Sequence, residues 1–522
     1  MLAPALAVGV VLYAFVHFLA WPTFLYLQDR KGLRRYPNYS FCASISDWPL
    51  CLLSSTGSRS RTIATAHKER DAKVLRIGPN NLSFAHKDAI RDIYGHSTTC
   101  IKDLKYKITA APHPNIFDVT DKHEHSVQRK RLSAAFAIKN LVRWEHKVAR
   151  MTERLIAALD RQCTPQPKDV DNLELEDANV DYNYWINLFT IDAINYLTLS
   201  SELNCLERGN DIVTAQRPDG TRYECSYRKC QDNTAFALSH FCWDYQHLFG
   251  LMWLSKLFPG WRRVWNDAAP WSDMVNYQSL TRLARYENRE DLDDFFTALM
   301  EDKTGKPHNL AWPQVVSDVG AIINAGADTT SIALTQVLYF LIRHPEHLAT
   351  LRKEVDEALD TTDVVAPYDR VKQLPFLKAC LDEGMRFIPP VSSGLPRRTP
   401  PEGAQIMGEW IAGDTSVSMT TYFAHHDPTV FPNPDEFNPH RWMWPEERKR
   451  MEPYFIPFST GGRGCIGRNI SYLEQTVVLA SLVHRYEFAL PREFELARFE
   501  AFNLIMGKMP IKIWRRAEVE HA

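Results

Sequence analysis

Phe458-Ser-Thr-Gly-Gly-Arg-Gly-Cys-Ile-Gly467 is a ten-residue stretch in which four glycines surround one cysteine and one arginine. Glycine has no side chain, so the backbone here can turn tightly and approach a flat ligand closely. Cys465 is therefore presented by its loop rather than only buried. Its thiolate form needs stabilisation by nearby cations, backbone N–H groups or a metal. A helix is expected to begin after Gly467 and to bring its positive end to Cys465.

Five positions of this loop resemble the haem-ligand signature of the cytochrome P-450 family, the haem-thiolate monooxygenases: Phe458, Gly461, Arg463, Cys465 and Gly467. By that resemblance Cys465 is the metal ligand, its thiolate binding the iron of haem (heme b), and the other four positions belong to the cofactor-binding loop. A thiolate ligand pushes electron density toward O–O cleavage. A buried apolar cysteine is the ordinary alternative, and five matched positions outweigh it.

Composition favours one large catalytic domain. Of 522 residues, 45% are hydrophobic and 24% are charged, which suits a large core with an average surface. The net charge of -2 argues against nucleic acid as a partner. Ten cysteines without a C-x-x-C pair favour a reducing compartment. The sequons at Asn38, Asn81 and Asn469 are interpreted as chance, because a glycan at Asn469 would disrupt the cysteine loop.

The N-terminus has the pattern of a membrane anchor. Residues 1–28 carry no formally charged side chain and are long enough to cross a bilayer as one helix. Arg30, Lys31, Arg34 and Arg35 follow, and positive flanks stay cytosolic. A cleaved signal peptide is the alternative, but a positive n-region and a clear cleavage site are missing. We predict a single-pass anchor at 1–28 in the endoplasmic reticulum membrane, a basic linker at 29–61, and a cytosolic haem-thiolate monooxygenase domain at 62–522.

The catalytic domain is predicted to be mainly α-helical with a small β part, and the resemblance implies the cytochrome P-450 fold. Residues 74–84 alternate apolar and polar side chains around a Gly-Pro turn, which predicts a hairpin. Helical periodicity covers residues 139–158, 188–199, 275–300, 314–343 and 347–359. Irregular stretches are expected near residues 204–234 and 391–413, which are rich in turn residues.

The predicted helix at 314–343 is bracketed by Pro313 and Pro345 and carries Ala-Gly-Ala-Asp-Thr-Thr at its middle. Small residues there allow close helix packing, and a threonine can bond back to a carbonyl one turn earlier. The resemblance instead places this helix across the distal haem face and makes Asp328 and Thr329 catalytic. A hydroxyl beside a carboxylate can relay protons. Gly326 is expected to leave room for dioxygen and substrate.

Glu383-Gly-Met-Arg386 places opposite charges three residues apart on one helix face, among apolar neighbours. The pair resembles the family's E-x-x-R motif, and the segment Pro434–Trp442 supplies the third partner, Arg441. Buried charges persist only in networks. These three residues are therefore predicted to give structural support to the cysteine loop.

Haem carries two propionates, for which the arginine fork is a natural partner. The resemblance implies that four residues bind them: His125, Arg129, Arg397 and Arg463. A solvated basic face is the alternative for Arg129. Both roles are compatible, because a basic surface extended by Lys139 and Arg143 would suit docking of an acidic electron donor.

The resemblance implies an enzyme that inserts one oxygen atom from dioxygen into an apolar or aromatic small molecule, with electrons from NADPH through a flavoprotein, NADPH-cytochrome reductase. Segments 76–84 and 465–471 are similar to fungal microsomal members, including benzoate para-hydroxylase-like and secondary-metabolite enzymes. Expected substrate contacts are residues 105–118, 241–261, 391–395 and 502–505, with Ile322 and Ala325. Two alternatives stay open: a haem-thiolate isomerase or dehydratase acting on a peroxide, which would not need Asp328 and Thr329, and a non-catalytic haem-binding sensor.

Overall fold

Helices make up most of the protein in the computed structural model, which describes residues 8–9, 12–13, 15–109 and 113–516. The prediction of a mainly helical fold is confirmed. The α-helices are Trp21–Gln28, Trp48–Ser55, Arg59–Glu69, Asp88–Tyr94, Lys122–Ser133, Ile138–Arg143, Glu145–Asp160, Tyr182–Leu199, Cys205–Arg208, Tyr227–Phe241, Leu248–Ser255, Pro259–Ala268, Pro270–Glu287, Phe295–Met300, Trp312–Arg343, Pro345–Ala358, Tyr368–Val371, Pro375–Phe387, Thr421–His425, Pro445–Met451 and Arg468–Arg485.

Short strands form small sheets beside the helices. The largest sheet has five strands in the spatial order Val74–Gly78, Asn81–Phe84, Ser416–Ser418, Arg397–Arg398 and Ile101–Lys102. The hairpin predicted at 74–84 is confirmed, with Val74 opposite Phe84 in antiparallel register. The other strands are Val180–Asp181, Ile212–Gln216, Arg222–Ser226, Ala404–Ile406, Glu409–Ile411, Tyr486–Ala489, Arg498–Glu500, Leu504–Met506 and Pro510–Arg515.

Two stretches expected to be irregular contain hairpins, so that prediction is wrong in part. Strands Ile212–Gln216 and Arg222–Ser226 pair antiparallel around Gly220, which has a φ of +89°. The turn residues between them close a tight hairpin instead of marking a loop. Residues 391–413 likewise contain the antiparallel pair Ala404–Ile406 and Glu409–Ile411. Strands of three to five residues are too short to show a clear period in a sequence.

The longest helix, Trp312–Arg343, is called the long helix below. It has a proline in its first turn and is capped at its C-terminal end by His344. The next residue is the proline that begins the following helix, as the bracketing prolines predict. The helix predicted over residues 275–300 is instead two helices. The second begins after Asp294, whose carboxylate accepts a hydrogen bond from the N–H of Thr297 and caps it.

The long helix lies in the main hydrophobic core, where its most extensive contacts are with the helices Tyr182–Leu199, Pro375–Phe387 and Arg468–Arg485. Gly326 marks a close contact in this core. A Cβ atom on Gly326 would lie 2.5 Å from Cδ1 of Ile194. The absence of a side chain at Gly326 therefore allows two helices to approach closely. This contact gives Gly326 a packing role and does not test the prediction that it leaves room for dioxygen.

The region before residue 62 includes parts of the predicted anchor and linker. The described part of the anchor is helical and ends at Gln28, followed by Asp29 in the left-handed conformation, while residues 1–7, 10–11 and 14 lie outside the described residues. Among the helices that the structure describes, none has both the length and the apolar character needed to cross a membrane. Residues 29–61 contain the helix Trp48–Ser55, and the side chain of Leu50 is fully buried.

Candidate active site

The cysteine loop, residues 458–467, makes a short turn and then enters the helix Arg468–Arg485, which begins where the sequence predicts. The N–H of Cys465 donates to the carbonyl oxygen of Phe458 at 2.8 Å. Gly461 has a φ of +70°, and a Cβ atom there would lie 2.1 Å from the carbonyl oxygen of Tyr94. Only glycine fits at this position, because both the conformation and the space exclude a side chain.

The Cys465 side chain lies just before the N-terminus of that helix and is accessible, although protein surrounds the thiol. Burial by the surrounding protein raises the pKa of this thiol, whereas the N–H of Gly467 and the charge of Arg129 act to lower it. The sulfur is thus open on one side and enclosed on the others. A group that binds on the open side would decide whether the thiolate forms.

Five basic side chains, called the basic cluster below, lie close enough to influence each other electrostatically: Lys102, His125, Arg129, Arg397 and Arg463. Lys102, His125 and Arg397 are buried, and the other two are half-buried. Within the described part of the chain, no carboxylate oxygen lies within 4.0 Å of a basic nitrogen of any of them. The cluster therefore concentrates positive charge without an ion pair among the described residues, although the charges of Asp118 and Asp121 reach Lys102 and Arg463.

The cluster changes the titration of its own members. Burial, followed by the charges of Arg463 and Lys102, lowers the pKa of His125 to about 3. Burial and the charge of Arg397 lower the pKa of Lys102 well below its ordinary value. Burial and Arg397 lower the pKa of Arg463 to about 10. An anion bound between these groups would relieve both the burial cost and the mutual repulsion.

One member of the cluster contacts the cysteine loop directly. Nη1 of Arg129 donates to the carbonyl oxygen of Gly464 at 2.6 Å. Nη1 of Arg463 donates to the carbonyl oxygen of Val119 at 3.2 Å. These bonds connect the loop that carries Cys465 to the helix Lys122–Ser133, which carries His125 and Arg129, and to the segment just before it.

The long helix remains a regular α-helix at Asp328 and Thr329. The buried Asp328 carboxylate accepts from Nη1 of Arg228 at 3.0 Å and from Nδ2 of Asn503 at 2.7 Å. The Thr329 hydroxyl donates to the carbonyl oxygen of Ala325 at 2.9 Å. The Asp328 carboxylate and the Thr329 hydroxyl thus bind different partners. The hydrogen bond from Thr329 to a carbonyl one turn earlier, one of the two alternatives from the sequence, is present.

The predicted support residues form a buried network. Nε and Nη2 of Arg386 each donate to the Glu383 carboxylate at 2.8 Å, and both side chains are 0% exposed. Nε of Arg441 donates to the same carboxylate at 3.1 Å, and Nε1 of Trp442 donates to it at 2.9 Å. Burial acts to raise the pKa of Glu383, but Arg386 and Arg441 hold it below its ordinary value.

Comparison with known proteins identifies the family. The family model for cytochrome P450 matches residues 75–514, which is most of the chain. The chain belongs to the cytochrome P450 family.

Three fungal relatives are similar to this cytochrome P450 over nearly its whole length. Cytochrome P450 monooxygenase FCK2 of Fusarium pseudograminearum is 28% identical over 93% of this chain and 82% of the relative. Benzoate 4-monooxygenase bphA of Aspergillus niger is 27% identical over 91% of each chain. Tryprostatin B 6-hydroxylase of Aspergillus fumigatus is 24% identical over 91% of this chain and 80% of the relative. The protein is a cytochrome P450 monooxygenase, and family membership implies haem held by a thiolate.

The site of this cytochrome P450 fits such a cofactor. The Cys465 thiol is open on one side, and thiolate sulfur is a known haem ligand. The basic cluster offers several cations without acidic partners, which suits the two propionates of haem. The glycine at position 461 lets the loop approach a neighbouring backbone closely.

Several side chains at this site were not found from the sequence. Lys102 belongs to the basic cluster, and Arg228 and Asn503 bind Asp328. A single buried lysine gives no periodic signal, and Arg228 and Asn503 lie 100 and 175 residues away from Asp328. Only the folded chain shows these contacts.

Proposed function

We propose that this cytochrome P450 is a membrane-anchored haem-thiolate monooxygenase that inserts one oxygen atom from dioxygen into an apolar or aromatic small molecule. NADPH would supply the electrons through a flavoprotein reductase. The similarity to fungal relatives supports a role in secondary metabolism or in oxidation of aromatic compounds. The accessible Cys465 side chain beside a basic cluster that forms no ion pair with the described carboxylates carries the proposal, because this combination suits a flat dianionic metal cofactor.

The roles of the cofactor-binding residues follow from that combination. Cys465 would hold the iron, and four basic residues would bind the propionates: His125, Arg129, Arg397 and Arg463. Lys102 joins them in the proposal because it is buried in the same cluster. When bound, haem supplies the activation of dioxygen, which the thiolate ligand promotes.

Asp328 and Thr329 are proposed to deliver protons. The Thr329 hydroxyl holds its proton on the carbonyl oxygen of Ala325 and is partly exposed, so rotation about one bond would free it for another acceptor. Asp328 would exchange protons on the other side of the relay. We expect Thr329→Ala to raise the peroxide released per NADPH consumed while leaving haem content unchanged. Unchanged peroxide release would remove Thr329 from the relay.

An aromatic wall supports an aromatic or apolar substrate. The ring of Phe117 lies 5.3 Å from the ring of Tyr106 and 5.4 Å from that of Phe502, both in edge-to-face contact. Phe117 keeps 36% of its surface exposed although its two neighbours pack against it. Such rings pack well against flat aromatic molecules.

Exposed apolar side chains support the proposed anchor at residues 1–28 and membrane contact of the domain at 62–522. They occur in the N-terminal segment and in residues 249–258, and they include Tyr13, Leu19, Phe24, Phe249, Trp253, Leu257 and Phe258. Nε2 of His17 lies 2.7 Å from Nε2 of His247, which joins the two regions into one surface. Large exposed apolar patches are typical of membrane contact, and the endoplasmic reticulum membrane is the proposed location.

A basic face near the cysteine loop supports the reductase as partner. Lys130 and Lys139 are exposed there, beside the exposed apolar side chains of Ile138 and Val142. Positive charge around an apolar centre suits docking of an acidic flavoprotein.

Reconstitution with a reductase tests the proposed reaction. Cells that express the chain with NADPH-cytochrome reductase, grown under isotopically labelled dioxygen, should accumulate a metabolite that carries one labelled oxygen atom. Cells with Cys465→Ala should lack it. If the purified protein converted a hydroperoxide but never consumed NADPH with reductase and dioxygen, the isomerase or dehydratase alternative would replace this proposal.

A further inference from the structure

A buried hydrogen bond joins the C-terminal hairpin to the long helix. The hairpin consists of Arg498–Glu500 and Leu504–Met506, and residues 501–503 form its turn. Nδ2 of Asn503, in that turn, donates to Oδ2 of Asp328 at 2.7 Å. Both side chains are buried. The bond therefore connects residues 175 positions apart at the carboxylate proposed to deliver protons.

The other oxygen of the same carboxylate has a different partner. Oδ1 of Asp328 accepts from Nη1 of Arg228 at 3.0 Å, and Nη2 of Arg228 donates to Asp232 at 2.8 Å. Arg228 is thus shared between two carboxylates. Because an arginine fork can bind both oxygens of one carboxylate, Arg228 and Asn503 compete for Oδ2 of Asp328.

The orientation of the Asn503 amide follows from its partner. The carboxylate accepts hydrogen bonds only, so the NH₂ group of Asn503 must face it. Oδ1 of Asn503 is buried and has no hydrogen-bond partner among the described residues. The bond to Asp328 is therefore the only side-chain hydrogen bond of Asn503 among the described residues. The amide makes this bond although its buried oxygen stays unsatisfied, which has a cost in free energy.

The turn that holds Asn503 also contacts the aromatic wall. The neighbouring residue, Phe502, packs against Phe117 with ring centroids 5.4 Å apart. The N–H of Leu504 donates to the carbonyl oxygen of Pro390 at 3.0 Å, in the segment next to expected substrate contacts. The same three-residue turn therefore carries both Phe502, at the aromatic wall, and Asn503, at the Asp328 carboxylate.

We propose that Asn503 is a positioning residue that holds Oδ2 of Asp328 away from the Arg228 fork. The inference rests on the proposed function, since it assumes that Asp328 belongs to the proton relay. Without Asn503, both carboxylate oxygens of Asp328 would be free to bind the Arg228 fork, and the carboxylate would turn away from its present orientation. Proton delivery would then fail more often, and more oxygen would leave as peroxide.

The test uses the full-length holoenzyme with NADPH-cytochrome reductase and no added substrate, so that oxygen is reduced to peroxide or to water. The measurement is peroxide formed per NADPH consumed, for the wild type, Asn503→Leu, Asp328→Asn and the double variant. Haem content and the carbonyl spectrum check that each variant folds. Because a small misplacement of a reacting group has a large effect, we expect Asn503→Leu to raise the peroxide fraction about twofold or more.

Non-additivity separates a positioning role from a general one. If Asn503 acts through Asp328, the double variant should match Asp328→Asn alone. Effects of the two substitutions that add would overturn the inference, as would a wild-type peroxide fraction in Asn503→Leu. Should Asn503→Leu lose haem, Asn503→Ala removes the same donor with less bulk, and the same outcomes decide.

An asparagine of the helix Tyr182–Leu199 that binds the end of the same hairpin provides the matched control. Nδ2 of the buried Asn183 donates to the carbonyl oxygen of Gly507 at 3.0 Å, at the other end of the hairpin from Asp328. Asn183→Leu should loosen the hairpin without raising the peroxide fraction. An equal rise in Asn183→Leu and Asn503→Leu would mean that hairpin stability is responsible and would contradict the inference.

Asn503→Asp adds a readout that hairpin loosening does not change. Two carboxyl groups at this separation cannot both ionise without cost, so the peroxide fraction should become pH dependent in this variant and not in Asn503→Leu. The two proposals also fail separately. If Asp328→Asn keeps the wild-type peroxide fraction, the relay itself is wrong. If Asp328→Asn raises it but Asn503→Leu does not, only the role of Asn503 is wrong.

Discussion

Two groups of buried arginines in this cytochrome P450 have opposite surroundings. In the support network, Arg386 and Arg441 surround the Glu383 carboxylate, and each charge is met by opposite charge. In the basic cluster, Arg397 and a lysine, Lys102, are also buried, but the described residues place no carboxylate within 4.0 Å of them. The difference teaches that buried charge with a partner holds the fold, whereas buried charge without one indicates a site for a charged ligand.

A third site extends the comparison to acids. Glu474, on the helix that follows the cysteine loop, is buried and has no basic partner among the described residues. Burial raises the pKa of Glu474 to about 8, while a hydrogen bond with Thr330 acts to lower it. A buried acid without a nearby cation stays protonated to a higher pH, since burial penalises the charged form.

The largest effect is expected from breaking the paired network. Glu383→Ala leaves Arg386 and Arg441 buried without their carboxylate, which costs about 3–5 kcal/mol in comparable buried pairs. We expect little or no haem-containing protein from this variant, measured as haem absorbance per mole of purified chain. The exposed Glu446 gives the matched control, because Glu446→Ala should leave the yield unchanged. A normal yield from Glu383→Ala would contradict the structural role.

A smaller effect is expected from removing one unpaired cation. Arg397→Met removes a buried charge that lacks a carboxylate, so the fold should tolerate it. Haem should be lost faster, by about tenfold or more, because a charge-assisted hydrogen bond is worth about 1.5–3 kcal/mol. The measurement is the rate of haem transfer from the holoenzyme to excess apomyoglobin.

Arg370 offers the control for that measurement, since it pairs with Asp360 on the surface at 2.7 Å. Arg370→Met should leave the transfer rate unchanged. If Arg397→Met released haem at the wild-type rate, or prevented folding as Glu383→Ala does, the contrast between the two groups of arginines would be lost.

The smallest effect concerns the acid without a partner. Burial raises the pKa of Glu474, so the folded state binds a proton that the unfolded state releases. The free energy of unfolding therefore falls as the pH rises from the unfolded pKa to the folded pKa of about 8. Glu474→Gln resembles the protonated acid at every pH. Its melting temperature should therefore match the wild type near about pH 5 and exceed it near about pH 9.

An exposed acid again serves as the control, and Glu446→Gln should follow the wild type at both pH values. A wild-type pH dependence in Glu474→Gln would show that the buried acid is not the group that titrates.

The parts of the fold set by local sequence were predictable. Neighbouring residues define the cysteine loop, the 74–84 hairpin and the Glu383 and Arg386 pair, and prolines bracket the long helix. Two predictions were wrong where local signals conflict, because short strands at 212–226 resemble a loop and the cap at Asp294 interrupts a helical period. Packing of Gly326 against a second helix was likewise hidden.

The candidate site was only partly predictable, because much of it depends on distant contacts. The spacing around Cys465 and the family resemblance point to the thiol and four of the basic residues. Neither points to Lys102, which is identified by burial without an acid, or to Arg228 and Asn503, which approach Asp328 only in the folded chain. A single sequence carries no signal for pairs separated by a hundred residues or more.

The most direct test of the central claim is the carbon monoxide difference spectrum of the reduced holoenzyme and of Cys465→Ala. A thiolate donates more electron density to the iron than a neutral ligand does. We expect a red-shifted Soret band in the wild type and its loss in Cys465→Ala. A red-shifted band that persists in Cys465→Ala would contradict the assignment of Cys465 as the ligand of the haem iron.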